Sequence, residues 1–142
     1  MFRFLIVISV SALTACSNAP MKSQASTQFA PCPSAPHCVS SLATDSKHIA
    51  AISVNSAQEW QRLQTTLLAM PRTEAVERQA QYLHAVSHSA IMRYKDDIEL
   101  RYSPNENRVD VRSASRIGYY DFGVNRKRIE ALREQFNAGH AP

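Results

Sequence analysis

Apolar residues in the first part of the folded region recur at the spacing of an amphipathic helix. Ser56 and Glu59 have the spacing of a capping box, in which two side chains satisfy free amides at a helix start. Trp60 and Leu63 begin an apolar stripe that continues at helical intervals until a proline interrupts it. The pattern therefore predicts a helix over 57–69 that packs its tryptophan and leucines on a core.

Downstream of this helix the apolar residues alternate with polar ones, which is the period of a β-strand. The alternation predicts strands over 73–79, 82–93, 98–102 and 109–112. A short extended segment is also predicted at 49–54, ahead of the helix.

The charges of the last two predicted strands indicate how they pair as a hairpin. Placing Glu99 opposite Arg112 also places Arg101 opposite Asp110, so that two pairs of opposite charge face each other. A register shifted by two residues sets arginine against arginine instead. Because each directly opposed pair contributes about 0.2–1 kcal/mol, the charges favour the first register.

A second helix is predicted from Asp121, a favourable N-cap residue, to Phe136. Ile129, Leu132 and Phe136 form its core stripe. The element order is then β-α-β-β-β-β-α. Strands grouped between two helices predict an α+β fold, with an antiparallel sheet of about four to five strands and both helices packed on one face.

The N-terminal segment has the features of a bacterial export signal. Residues 1–15 combine a basic Arg3, a short apolar core and small residues immediately before Cys16. This ending resembles a lipobox, in which the signal is removed and the cysteine is acylated. Residues 16–30 are then a lipid-anchored flexible tether, and residues 31–142 form a single α+β domain.

The lipobox resemblance also implies a location. Two or three acyl chains on Cys16 would hold the chain permanently on a membrane, whereas one chain holds it only marginally. A residue other than aspartate after the cysteine, here Ser17, implies the periplasmic face of the outer membrane. The alternative is an ordinary signal peptide with a chance cysteine.

Two further cysteines, Cys32 and Cys38, enclose a short loop that contains two prolines. Disulfides persist in exported proteins, so a Cys32–Cys38 disulfide is expected. Its contribution should lie near the low end of about 2–4 kcal/mol because the loop is short. The alternatives are a metal site that includes His37, for which no fourth ligand is evident nearby, and a redox pair, which favours tighter Cys-X-X-Cys spacing.

Composition narrows the classes of partner. The chain has 142 residues and a formal net charge of +4, which suits an acidic partner such as a phosphate-bearing lipid or a carboxylate. Nucleic-acid binding usually needs a denser basic stripe, so no nucleic acid is expected. With three glycines and neither Walker nor dinucleotide spacing, the sequence also predicts no cofactor.

The densest polar chemistry lies at the last predicted strand and the start of the second helix. Arg126 and Lys127 fall where the helix dipole disfavours cations by about 0.3–1 kcal/mol each. Residues that are locally unfavourable, such as these cations, tend to occur at functional sites. The free amides at a helix N-terminus also bind a phosphate or carboxylate. The predicted site for an anionic or polar ligand comprises Arg112, Ser113, Ser115, Arg116, Tyr119, Asp121, Asn125 and Arg126.

A purely structural interpretation accounts for the same residues. In it, Arg126 pairs with Glu130, Arg116 pairs with Asp121, and the serines bond locally. Under this interpretation the chain is a structural envelope lipoprotein without a ligand.

A catalytic interpretation would make Ser113 or Ser115 a nucleophile. Neither serine has a general base beside it in sequence, so His84 would have to lie close to it in space. The alternative function is therefore a hydrolase-type enzyme with a Ser/His pair, and its catalytic residues are not assigned.

Two further pairs of polar residues have ordinary interpretations. His84 and His88 lie about 13 Å apart on a strand, at roughly 3.3 Å per residue, which is too far for one metal ion. Asp96 and Asp97 are predicted to lie in a solvated turn that begins at Lys95. No metal is expected.

Five blocks of the sequence together resemble the Domain of Unknown Function 1499 family. They are residues 32–41 (CPSAPHCVSS), 82–84 (YLH), 96–99 (DDIE), 112–119 (RSASRIGY) and 121–128 (DFGVNRKR).

The resemblance covers roughly residues 31–137. The family occurs in bacterial envelope proteins and in plastid relatives, and it has no catalytic residues to carry over. The resemblance therefore implies a structural unit and a location but no reaction. We expect an outer-membrane-anchored periplasmic lipoprotein that serves as a binding or accessory module for an anionic or polar envelope ligand or for a protein partner.

Overall fold

A computed structural model describes residues 29–139, which form an antiparallel sheet with two helices on one face. The predicted signal peptide and Cys16 lie outside these residues. The elements in chain order are β1 (Cys38–Ser40), β2 (Ile52–Ser53), α1 (Ala57–Ala69), β3 (Thr73–Gln79), β4 (Tyr82–His88), β5 (Lys95–Ser103), a 3-10 turn (Pro104–Glu106), β6 (Arg108–Ser115) and α2 (Val124–Ala138).

The six strands are ordered β1-β6-β5-β4-β3, and β2 pairs with β6 beyond this path. Consecutive hairpins from β3 to β6 form the centre of the sheet. Glu99 lies opposite Arg112 and Arg101 lies opposite Asp110, which confirms the register that the charges predicted. The α+β class is also confirmed.

The first helix begins and ends where the sequence predicts. The amide of Glu59 donates to the Ser56 hydroxyl at 3.1 Å, and the Glu59 carboxylate accepts from the amide of Asn55 at 2.7 Å. The glutamate therefore closes the cap one residue earlier than in a standard capping box. Trp60 and Leu63 are buried, as predicted.

The core lies between the two helices and one face of the sheet. It joins Trp60, Leu63 and Leu67 of α1 to apolar residues of β4, β5, β6 and α2. The Trp60 ring stacks on Tyr102 of β5 at 5.7 Å, and its indole N–H donates to the Ala80 carbonyl. This arrangement combines apolar burial with a satisfied indole N–H, as a buried tryptophan requires.

The second helix begins at Val124, and its N-cap lies two residues after the predicted N-cap, Asp121. Gly123 is its N-cap and adopts a left-handed backbone with φ of 73°, which only glycine adopts without cost. Asp121 still satisfies amides at this end, because its carboxylate accepts from Gly123 and Asn125 at 2.9 and 3.1 Å. Asp121 therefore caps the start of the helix through its side chain, although the N-cap residue is Gly123.

Tertiary pairing also moves several strand boundaries. β4 ends at His88 and not at residue 93, because Ser89 bonds back to Tyr94 and closes a hairpin there. Asp96 and Asp97 lie within β5 and are buried, so the predicted solvated turn was wrong. The predicted extended segment at 49–54 contains only the short strand β2, and β1 was not predicted.

The predicted disulfide between Cys32 and Cys38 is present, with an S–S distance of 2.01 Å. Phe29 is buried and packs its ring near the Arg101 guanidinium, so the folded unit includes a residue that was assigned to the tether. Among residues 29–139, no helix is both long and apolar enough to cross a membrane.

Replacing Leu63 with alanine should lower the free energy of unfolding by about 2–5 kcal/mol, because removal of a buried leucine leaves a cavity. Leu42, which is 44% exposed, is the matched control. Leu42→Ala should change the free energy of unfolding by no more than about 0.5 kcal/mol. Urea unfolding of the full chain measures both values. Equal losses would contradict this description of the core.

Candidate functional site

The face of the sheet opposite the helices carries charged side chains in place of apolar ones. His84, Asp97, Glu99 and Arg112 lie on its three central strands and are each at most 2% exposed. Strand alternation places them there, because their neighbours Ile98 and Leu100, among others, enter the core on the other face. We call this surface the polar sheet face, and define it by Tyr82, His84, Asp97, Glu99, Arg101, Asp110, Arg112 and Arg116.

Asp97 is held from two sides. His84 Nε2 donates to Asp97 Oδ1 at 2.7 Å, and Arg116 holds both carboxylate oxygens through Nε and Nη2 at 2.9 and 2.8 Å. Burial alone would raise the pKa of Asp97, but the hydrogen bonds and charges of His84 and Arg116 outweigh it and lower the pKa. Asp97 therefore stays ionised at neutral pH and orients the imidazole.

Arg112 is fully buried and only partly satisfied. Its Nη1 donates to Glu99 Oε2 at 3.0 Å, and Tyr82 donates to the other carboxylate oxygen of Glu99 at 2.8 Å. The Nε and Nη2 atoms of Arg112 have no hydrogen-bond partner. An unsatisfied buried donor costs about 1–3 kcal/mol, and more when the group is charged.

Two further groups complete the polar sheet face. Arg101 lies 5.3 Å from the centroids of both the Phe29 and the Tyr82 rings. The Asp110 carboxylate accepts from Ser41 at 2.9 Å and pairs with Arg108 at 3.3 Å. Asp110 is thus engaged at the edge of this face.

A cavity of about 510 Å³ lies beside the polar sheet face, and we call it the Ser40 cavity. Ser40 lines it and is the direct ladder partner of Arg112, so both side chains are on the same face. Residues 29–32 and 42–45 form its remaining walls. The backbones of Ser40 and Arg112 are therefore one strand spacing apart, about 4.8 Å, and the volume of the cavity suits a small ligand.

The opposite face of β6 carries a buried polar network under the start of α2. The amide of Asn125 accepts from Ser113 at 2.5 Å and donates to Ser115 at 2.9 Å and to the His37 carbonyl at 3.1 Å. Arg128 joins the network and pairs with Asp96 at 2.6 Å. Because these groups satisfy one another, the network fixes α2 on the sheet.

A second, open cleft of about 310 Å³ lies at the start of α2. Tyr119, Asp121, Arg126 and Lys47 contribute to its lining. Burial alone would raise the pKa of Asp121, but hydrogen bonds from Asn125 and the nearby amides outweigh it and lower the pKa. Arg126 donates to the carbonyls of residues 46 and 48, each at 2.9 Å.

The eight residues predicted as one site therefore lie in three places. Arg112 and Arg116 are on the polar sheet face. The other six divide between the buried network, which holds Ser113, Ser115 and Asn125, and the open cleft, which is lined by Tyr119, Asp121 and Arg126. The expected single surface is not formed, because β6 directs successive side chains to opposite faces.

The structure also corrects the pairings of the structural and catalytic alternatives. Arg116 binds Asp97 and not Asp121, and Arg126 binds backbone carbonyls and not Glu130. Ser113 is the ladder partner of Ile98 on the core side, whereas His84 is the partner of Glu99 on the polar side. A Ser/His pair therefore does not form between these residues.

Sequence reasoning missed most of the polar sheet face. His84 was assigned to a strand, as observed, but it was interpreted as an ordinary sheet residue. The available signal was the alternation of Asp97, Glu99 and Arg101 along one strand, together with the predicted register that set Arg112 opposite Glu99. That signal did not show that this face is buried.

One comparison with known proteins identifies a family. A family model described as "Protein of unknown function (DUF1499)" matches residues 28–136. Neither the curated proteins nor the solved structures include a match.

Asp97→Asn should make the protein less sensitive to acid. Because the folded-state pKa of Asp97 lies below its usual 3.8, its ionised form stabilises the fold above that pH. This stability is lost as the pH falls through the folded-state pKa. Asp97→Asn should therefore cost about 3 kcal/mol at neutral pH, where it breaks a buried pair, and progressively less below about pH 4.

Urea unfolding of the full chain between pH 7 and strongly acid pH measures this difference. Asp45→Asn is the matched control, because Asp45 is an exposed acid paired with Lys47 and should follow the wild-type profile. A constant difference between wild type and Asp97→Asn at every pH would contradict the assignment.

Proposed function

The chain belongs to the DUF1499 family, whose function is unknown, and we propose that it is an anion-binding accessory protein of the bacterial cell envelope. Its ligand would carry a carboxylate or phosphate group and would bind at Arg112 on the polar sheet face. The observation that carries this proposal is the pair of unpartnered N–H groups on the fully buried Arg112 guanidinium.

The geometry of the guanidinium supports a two-oxygen ligand. Nε and Nη2 form one edge of the planar group and bind two oxygens of the same carboxylate or phosphate. Arg116 uses these same two atoms to hold Asp97 in this protein. In Arg112 the corresponding two nitrogens have no hydrogen-bond partner.

The hydrogen-bonding groups on this face favour an anion over a cation. Asp97 and Glu99 are each paired with an arginine, and Asp110 accepts from Ser41 and pairs with Arg108. The carboxylates therefore already have partners, whereas two N–H groups of the Arg112 guanidinium have none. The Ser40 cavity lies beside this face.

The proposal places the protein in the envelope through Cys16. A cysteine preceded by a short basic and apolar segment supports acylation and attachment to the periplasmic face of the outer membrane. A hydrolase with a Ser/His pair receives no support, because the serines of β6 and His84 lie on opposite faces of the sheet.

Anion binding should raise the melting temperature of the full chain in detergent micelles. The probes are sodium phosphate, sodium acetate and glycerol 3-phosphate, each compared with sodium chloride at equal ionic strength. A ligand at 100 times its Kd adds about 2.7 kcal/mol, which is a shift of several degrees. Arg112→Lys keeps the charge beside Glu99 but removes the two-nitrogen edge, so the shift should disappear.

The matched control is Arg133→Lys. Arg133 donates to the carbonyls of Ala50 and Ala51, away from the polar sheet face, so this variant should keep the wild-type shift. An unchanged shift in Arg112→Lys would refute the site. Wild-type protein that responds to none of the three anions would favour a structural role for this face.

Lipidation is tested separately. Cells that produce the wild-type chain should incorporate radiolabelled palmitate into it, because the acyl chains attach to Cys16. Cys16→Ala should abolish the label, and Cys38→Ala, which removes a disulfide cysteine, should retain it. Equal labelling of wild type and Cys16→Ala would show that the anchor lies elsewhere.

A further inference from the structure

Most of the large apolar side chains that are exposed in residues 29–139 lie at one end of the sheet. The β4–β5 loop contributes Ile91, Met92 and Tyr94. The segment that joins β6 to α2, together with the first residue of α2, contributes Ile117, Tyr119, Tyr120, Phe122 and Val124. We call these two segments, residues 89–94 and 116–124, the loop end.

The topology brings the two segments together. His88 pairs with Lys95 where the first segment leaves the sheet, and Asp96 pairs with Ser115 where the second one leaves it. The Arg116 amide also donates to the Lys95 carbonyl at 2.9 Å. The exposed apolar side chains of the loop end, which we call the patch, therefore lie together at the same end of adjacent strands.

Folding alone gives no reason for this patch. Ile91 is 90% exposed and Phe122 is 79% exposed, so neither contributes much to the core. Phe122 also adopts a left-handed backbone with φ of 54°, which is unfavourable for a bulky side chain. Exposed apolar side chains concentrated in one region in this way indicate an interaction surface.

The charges around the patch indicate an anionic partner. Arg93, Lys95 and Lys127 are exposed beside it. Asp121 is the one acidic residue of residues 89–95 and 116–128, and its carboxylate already accepts hydrogen bonds at the start of α2. The open cleft next to the patch is lined by Lys47 and Arg126 together with Asp121 and two tyrosines.

We propose that the loop end is a second membrane contact, which inserts into the surface of an anionic lipid bilayer. Tyrosine favours the membrane–water interface, phenylalanine enters its apolar side, and basic residues beside them attract anionic headgroups. The inference rests on the proposed envelope location and is independent of the Arg112 ligand. It assigns the orientation of the domain, with the loop end facing the lipid.

The test introduces a tryptophan at the loop end and measures how strongly lipid quenches its fluorescence. Phe122→Trp full chain is reconstituted into phosphatidylcholine–phosphatidylglycerol vesicles whose acyl chains carry bromine, a fluorescence quencher. Leu42→Trp is the matched control. Leu42 is exposed, and it follows the end of β1 that lies away from the loop end. Trp60 is buried and serves as an unquenched reference in both variants.

The proposal predicts that the indole of Phe122→Trp shifts to the blue and loses fluorescence, whereas that of Leu42→Trp does neither. Replacing phosphatidylglycerol with phosphatidylcholine should weaken the loss. If the chains float with the vesicles but neither variant is quenched, or both are quenched equally, the loop-end contact is wrong and the lipid anchor still stands. If the chains do not float, both the loop-end contact and the lipid anchor are wrong.

Discussion

The pairing of buried charges on the polar sheet face is the constraint on which the rest of the structure depends. An antiparallel sheet with helices on one face commonly leaves the other face in water, yet here that face is buried and charged. Breaking a buried ion pair costs about 3–5 kcal/mol, so Asp97 and Glu99 each require their arginine. A slip of one residue would move every charge into the core, which fixes the register of β5 on β6.

The parts of the fold that follow from local patterns were predictable from the sequence. The first helix has its cap, stripe and stop within one short segment, and the last hairpin has opposite charges at matching positions. The parts that depend on distant contacts were not. Asp96 is a buried strand residue because Arg128 reaches it from α2, and β1 forms because it pairs with the edge of β6.

The site was less predictable than the fold. The sequence identified Arg112 and Arg116 as functional candidates but grouped them with residues that β6 directs to the other face. It also placed His84 on a strand without linking it to Asp97, because that link requires the β4–β5 pairing. The proposed anion site rests on the fully buried Arg112, which has two donors without a hydrogen-bond partner.

The most direct test of the anion site is the NMR signal of the Arg112 Nε–H group in the full chain. The account predicts a saturable shift of this signal as phosphate or acetate is added, while the Arg133 Nε–H signal, whose group is bonded to Glu130, stays in place. An Arg112 signal that does not respond to any added anion would contradict the account. It would mean that the two Arg112 donors without a hydrogen-bond partner destabilise the fold and bind no anion.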